Sequence, residues 1–275
     1  MKAKPSPKAR TADDSSIAVE IESLDLVFNP QSAAPVQALK NINLKIARGS
    51  FVSFIGPSGC GKTTLMRIIA DLQKPTAGRV RVNGKSPEQA RRDHDYGFVF
   101  QAPALLPWRT IEQNVALPLE VMGFPRGERE QRIAENLARV KLEDFALKYP
   151  FQLSGGMQQR ASIARALAFD PDLLLMDEPF GALDEIVRDS LNLQLQQLWR
   201  ASQKTVIFVT HSIPEAVFLS TQIIVLSPRP GRIQDIIDCD LPSNRELDIR
   251  ESAEFAAIAN RVRQGLREGH SYVTP

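Results

Sequence analysis

Between Ser50 and Leu72 three patterns run together without a break. Ser50–Ile55 reads as a buried strand. Gly56-Pro57-Ser58-Gly59-Cys60-Gly61-Lys62-Thr63 follows as a glycine-rich turn, and Leu65, Ile68, Ile69 and Leu72 then stand at the i, i+3, i+4, i+7 spacing of a helix with one buried face. A strand that turns through glycines into a helix start aims several backbone N–H groups at one spot, with the positive end of the helix behind them. The segment fits G-x-x-x-x-G-K-[ST], a cradle for phosphate oxygens. Lys62 is expected to reach the β- and γ-phosphates of a nucleotide and the Thr63 hydroxyl to bind Mg²⁺. Residues Gly56 to Thr63, with Thr64 beside them, are the candidate nucleotide contacts.

Other apolar runs complete an α/β pattern. Gly97–Phe100, Leu173–Met176, Thr205–Val209 and Ile223–Leu226 are short enough for buried parallel strands. Val19–Phe28, Leu39–Ile46 and Arg79–Val82 alternate more strictly, and Asn83-Gly84 is a tight-turn signal. These suggest an antiparallel sheet leaning on a parallel core. From Gln101 to Ser154 the strand signal gives way to helical patterns around Ile111–Met122 and Glu128–Val140, a helical subdomain of about residues 102–160 inserted into the core. The expected organisation is a tail over 1–16, a main domain over 17–232 and a C-terminal extension over 233–275 with a helix from Arg250 to Arg267.

Composition removes several classes. Of the 275 residues 43% are hydrophobic and 24% charged, which excludes a wholly disordered chain. A formal charge of +2 lacks the basic surplus of a dedicated nucleic-acid binder. Two cysteines, Cys60 and Cys239, suit a reducing compartment, and no apolar run approaches the ~18 residues of a membrane span. The basic start is followed by no apolar stretch and does not read as a signal peptide, so the expected setting is cytoplasmic. Cys60, beside Lys62 and a helix N-terminus, is expected to favour its thiolate, without a catalytic role. Cys239 reads as buried or half-buried.

Leu173-Leu174-Leu175-Met176 delivers Asp177 and Glu178 to the carboxyl end of a strand, where ligands sit in open α/β sheets. Asp177 is expected to bind Mg²⁺, mostly through water, and Glu178 to polarise an attacking water. Alone, such a pair is as often a structural ion pair; the Lys62 loop tips the reading toward a nucleotide site.

Leu153-Ser154-Gly155-Gly156-Met157-Gln158-Gln159-Arg160 adds a second glycine-containing helix start. With this stretch the chain closely resembles the ATP-binding cassette ATPases. The resemblance implies a P-loop NTPase core with a mixed sheet, an antiparallel β subdomain and an inserted helical subdomain. It also implies that Ser154, Gly155 and Gly156 close over the nucleotide of a second, identical subunit. By position, Gln101 resembles the family's Q-loop glutamine, which would touch Mg²⁺ or its water and sense the γ-phosphate. His211, after Thr205–Val209, resembles the switch histidine that bonds the γ-phosphate. Gly181-Ala182-Leu183-Asp184 resembles the D-loop that touches the partner subunit, with Gly181 where many members have Ser. Phe28 is either the aromatic that stacks on adenine or, since Leu24, Leu26 and Phe28 alternate, part of the core.

Gln101–Thr110, Phe180–Glu185 and Ser227–Ile233 look like the corresponding segments of the nitrate/sulfonate/taurine importers. That likeness implies an ATPase working on the cytoplasmic face of the inner membrane, with ATP and Mg²⁺, a homodimer, transmembrane permease subunits and, indirectly, a periplasmic binding protein. A soluble cassette ATPase acting on DNA or ribosomes is the alternative. The single phosphate loop and the short 101–154 interval, with no room for a long coiled coil, count against it.

Overall fold

The computed structural model describes residues 16–32 and 34–270; the tail expected over the first residues falls, but for Ser16, outside them. The strictly alternating segments form one antiparallel sheet. Its middle strand β1 (Ile17–Phe28) pairs with β2 (Val36–Ala47) on one side and β4 (Ala77–Val82) on the other. The apolar runs form the second sheet, from β3 (Phe51–Ile55), β5 (Tyr96–Val99), β6 (Leu173–Asp177), β7 (Thr205–Val209), β8 (Gln222–Leu226) and β9 (Ile233–Asp238). Their order is β5-β6-β7-β3-β8-β9, parallel throughout except that β9 runs antiparallel to β8.

The near-continuous hydrophobicity of β3, β6 and β7 has a direct cause. Phe51, Ile55, Leu174, Met176, Val206 and Phe208 face one core, shared with the helices. Val52, Phe54, Leu173, Leu175, Ile207 and Val209 face another, under the antiparallel sheet. A strand buried on both faces cannot alternate polar with apolar residues.

Eight helices cover these sheets among the described residues: α1 (Lys62–Ile69), α2 (Pro87–Arg92), α3 (Ile111–Val121), α4 (Arg126–Arg139), α5 (Gly155–Leu167), α6 (Glu185–Ser202), α7 (Ile213–Leu219) and α8 (Ala253–His270). The interval 101–154 holds α3, α4 and two short 3₁₀ turns, with no strand. A capping box starts α3: the Thr110 side chain accepts from Gln113 N, and the Gln113 side chain accepts from Thr110 N.

Three local expectations need correction. Helix α1 ends at Ile69 because Asp71 takes a left-handed turn, at φ 53°, so Leu72 is exposed rather than part of the buried face. Asn83 and Gly84 do make a tight turn, with φ of 52° and 79°, but it closes only a single bridge between Val82 and Lys85. The last helix begins at Ala253, after a 3₁₀ turn over Leu247–Glu251, and ends at His270.

Candidate nucleotide site

Four neighbouring parallel strands deliver the candidate residues. At their carboxyl ends β5 leads to Gln101, β6 to Asp177 and Glu178, β7 to Thr210 and His211, and β3 to the Gly56–Thr63 loop. This is the edge at which open α/β sheets take ligands.

The loop is packed to tolerance at its base, while its tip, Ser58 and Gly59, is exposed. A Cβ on Gly56 would lie 2.7 Å from Cys60 Sγ and 2.9 Å from the Leu226 carbonyl, so only glycine fits. Gly61 caps α1 in the left-handed region at φ 106°, and no side chain claims the first N–H groups of the helix there. Lys62 is buried, and its Nζ donates to the carbonyls of Gly56 (2.9 Å) and Pro57 (3.0 Å). The cation is thus held over its own loop by contacts a phosphate can replace. Thr63 and Thr64 are half-buried in the first turn of α1.

Thr63 Oγ1 donates to Asp177 Oδ1 at 2.7 Å, joining the ends of β3 and β6. Burial pushes the Asp177 carboxyl above its ordinary range, and the Thr63 hydrogen bond opposes that shift. Glu178 sits at φ 45°, an uncommon conformation for a side chain of this type, fixed by its N–H donating to Val209 O and by Gly181 N donating to its carbonyl. Its Oε2 lies 3.5 Å from Nδ1 of the exposed His211, close contact without hydrogen-bond length. A hydroxyl and a carboxylate are hard oxygen donors of the kind Mg²⁺ takes alongside phosphate and water.

Cys60 corrects the expectation of a thiolate. The thiol is fully buried, under Gly56, and desolvation raises its pKa more than the nearby Lys62 lowers it. Cys239 is also buried, with its pKa pushed up to about 12. Phe28 is 38% exposed while Leu24 and Leu26 are buried, so it is not core. Gln101 is exposed, two residues beyond a strand that ends at Val99 rather than Phe100. Buried Gln159 holds the turn before it, donating to Phe100 O at 3.2 Å.

The remaining candidates lie apart. Ser154 caps α5, accepting from Met157 N, and is exposed together with Gly155. Gly156 is buried, and a Cβ there would strike Val187 of α6 at 2.7 Å. Asp184 caps α6, accepting from Val187 N at 2.9 Å. Among the described residues no hydrogen bond joins Ser154, Gly155 or Gly156 to residues 56–64.

The sequence reading missed four residues that tie these parts together. Buried Glu215 accepts from the Thr210 hydroxyl, and Arg188 donates to the Leu183 carbonyl at 2.7 Å. Gly231 presses on the phosphate loop, where a Cβ would lie 2.1 Å from the Cys60 carbonyl. Arg245 is a buried cation against the end of α7. The Gly231 and Arg245 contacts join distant parts of the chain and leave no periodic mark, whereas a charged residue among apolar ones, as at Glu215, is a signal that can be searched.

The ABC transporter family profile matches residues 39–181. An uncharacterised ABC transporter ATP-binding protein of Methanocaldococcus jannaschii is 44% identical, over 95% of this chain and 96% of its own. The taurine import ATP-binding protein TauB of Rhizobium johnstonii is 42% identical, over 89% of this chain and 95% of its own. The aliphatic sulfonates import ATP-binding protein SsuB of Bacillus cereus is 40% identical, over 91% and 96%. A solved bacterial ABC transporter cassette, described as dimeric, superposes with a TM-score of 0.71 at 37% identity, covering 82% of this chain and all of that one. Phosphate loop, strand-end carboxylates, helix starts and relatives agree: the chain belongs to the ABC transporter family, as an ATP-hydrolysing subunit.

Proposed function

We propose that this ATPase powers a membrane importer for a small sulfonate such as taurine, or a chemically similar solute, by dimerising around two ATP molecules. The observation that carries the nucleotide chemistry is the arrival of Gln101, Asp177–Glu178, His211 and the Lys62 loop at the ends of four adjacent strands. The likeness to TauB and SsuB supports the solute class.

In this reading Lys62 exchanges its two loop carbonyls for the β- and γ-phosphates, and the free N–H groups at the start of α1 hold the same oxygens. Thr63, Asp177 and Gln101 would hold Mg²⁺, which supplies charge neutralisation on the phosphates when bound. Glu178 accepts a proton from, or orients, the attacking water, and His211, beside it, donates toward the γ-phosphate. Phe28 offers its exposed face to adenine. Ser154, Gly155 and Gly156 complete the site of the other subunit, with Asp184 at the same seam.

An apolar surface supports a permease partner. Trp108, Leu147 and Phe151 are each more than two-thirds exposed, and Tyr149 stacks on Phe151 at 5.7 Å. Ile111 N donates to Lys148 O, which draws this patch together just after Gln101. No helix among the described residues is long and apolar enough to cross a membrane, so the place proposed for the subunit is peripheral, on the cytoplasmic face, under its permease.

The test is Glu178→Gln in the purified chain. Turnover falls at least ~100-fold while ATP affinity is kept, and the variant collects as an ATP-bound dimer in size exclusion. Near-normal phosphate release removes Glu178 from the chemistry.

A further inference from the structure

We infer that residues 242–250, in the C-terminal segment, form a positioning strap that sets His211 and the Asp184 turn relative to one another; the functional meaning rests on the roles proposed above. Helix α7 starts two residues after His211, and its far end is closed by a side chain from another part of the chain. Buried Arg245 donates through Nη1 to the carbonyls of Phe218 (2.7 Å), Ser220 (3.0 Å) and Val217 (3.2 Å). Its Nε donates to Pro242 O at 2.9 Å, which anchors the guanidinium in the strap. A cation on the last carbonyls of a helix satisfies groups that otherwise lack partners and matches the negative end of the helix dipole. With only seven residues, α7 has no length in which to absorb a displaced end.

The second clamp reaches α6, whose start is capped by Asp184. Arg250 forks onto Asp189 with Nη2–Oδ1 at 2.6 Å and Nη1–Oδ2 at 2.8 Å. The same guanidinium lies 5.4 Å over the ring of Phe218 in α7. Two further bonds hold the strap along α6: Gln196 Nε2 donates to Ser243 O at 2.5 Å, and Arg200 donates to Asn244. Planar two-point pairing fixes orientation as well as distance. Helices α6 and α7 are therefore gripped by one short segment, α7 at its far end and α6 from Asp189 in its second turn to Arg200 near its end. None of these strap side chains touches the site, so they act through α6 and α7.

The experiment uses the full-length chain with Mg-ATP and four variants: Arg245→Lys, Arg250→Gln, Asp189→Asn and the exchanged pair Arg250→Asp with Asp189→Arg. Each single variant should lower kcat about tenfold and leave KM for ATP and nucleotide affinity within about twofold, because the phosphate loop stands on β3 and α1. The exchanged pair should recover most of kcat. The chain has three histidines, His94, His211 and His270, so ring NMR signals report His211 directly. The single variants should move or broaden the His211 signal, leave His94 in place, and add no further loss to His211→Ala in single turnover. Wild-type kcat with an unmoved His211 signal overturns the strap, as does a loss that adds in full to His211→Ala. If one variant does not fold, the exchanged pair and the remaining singles decide between the same two outcomes. A shifted His211 signal combined with undiminished turnover in His211→Ala would sink the proposed role of His211 while leaving the strap standing.

Discussion

Lys62 and Ser154 stand at the starts of two helices that both offer N–H groups to an anion, yet their surroundings are opposite. Around Lys62 the base of the loop is closed: Gly56, Cys60 and Lys62 are buried and neighbouring backbone leaves no room for a Cβ at Gly56, with only the tip at Ser58 and Gly59 exposed. Around Ser154 it is open, with Ser154 and Gly155 exposed and only Gly156 packed, against Val187. In the proposed reading the first half of the site is preformed by its own fold, whereas the second is a finished surface facing outward. A ligand bound between two such halves gains affinity from both only when a second copy brings its own α5.

The largest expected effect tests that division. Lys62→Ala removes the cation of the closed half, and Ser154→Arg blocks the open half. Each homodimer should lose at least ~100-fold in turnover, a size in keeping with the loss of a phosphate-binding group. A tagged heterodimer of the two carries one doubly damaged site and one site with both halves intact, so part of the activity returns. If each site were made within one chain, every site in the mixture would carry a lesion. Activity no higher than in the homodimers, with no ATP bound, would then end the two-copy reading.

A smaller effect sharpens the closed half. Gly231 lies against Cys60, donates to Ala38 O at 2.8 Å and accepts from Lys40 N at 2.9 Å. Gly231→Ala must displace either that turn or the phosphate loop. KM for ATP should rise roughly tenfold with a smaller change in kcat, since Glu178 and His211 stand on other strands. An unchanged KM would show that the loop is not held from this side.

This contrast also explains what could be read from the chain. The closed half was legible because its demands are local: a strand, glycines where backbone must approach, Lys62 and Thr63, then a helix. The antiparallel sheet was legible from alternation, as in Val19, Ile21 and Val80, Val82. The strand β9 was not, because Ile233–Asp238 is an edge strand with mixed exposure and no clean period. Nor was the state of Cys60. Its neighbours along the chain argue for a thiolate, while burial under Gly56, a packing fact, argues the other way and wins. The approach of Arg188 to Glu215 depends on how α6 and α7 pack, and that of Arg245 to the end of α7 on where the C-terminal segment lies, which residue spacing does not encode.

Cys60 offers a graded measure of how closed that half is. A thiol reagent at neutral pH should modify the folded chain at least ~10-fold more slowly than the unfolded chain, because the thiol is covered and its thiolate disfavoured. Cys239 is buried as well, so Cys239→Ala isolates the signal. Rapid labelling of Cys60 in that variant would mean that the loop opens readily, and the contrast with Ser154 would shrink.

The smallest effect concerns the joint between the halves, where α6 carries Val187 under the open surface and Glu215 of α7 lies among Thr210, Arg188 and Asn192. Burial raises the Glu215 carboxyl above its ordinary value, against the pull of the Thr210 hydroxyl and the Arg188 charge. The folded chain therefore keeps this proton to higher pH than the unfolded chain does. The resulting stability is complete below the ordinary carboxylate value of about 4.3 and is lost as pH rises through the folded value. Glu215→Gln can still accept from Thr210 and carries no charge to bury. Its Tm should exceed that of the parent at pH 8, and the difference should shrink toward pH 4. Each tenfold difference in proton affinity between folded and unfolded chains is worth about 1.4 kcal/mol, a few degrees in Tm for a domain of this size. A difference that stays flat with pH, or reverses, would mean that Arg188 holds Glu215 as a carboxylate and that an ion pair joins the two halves.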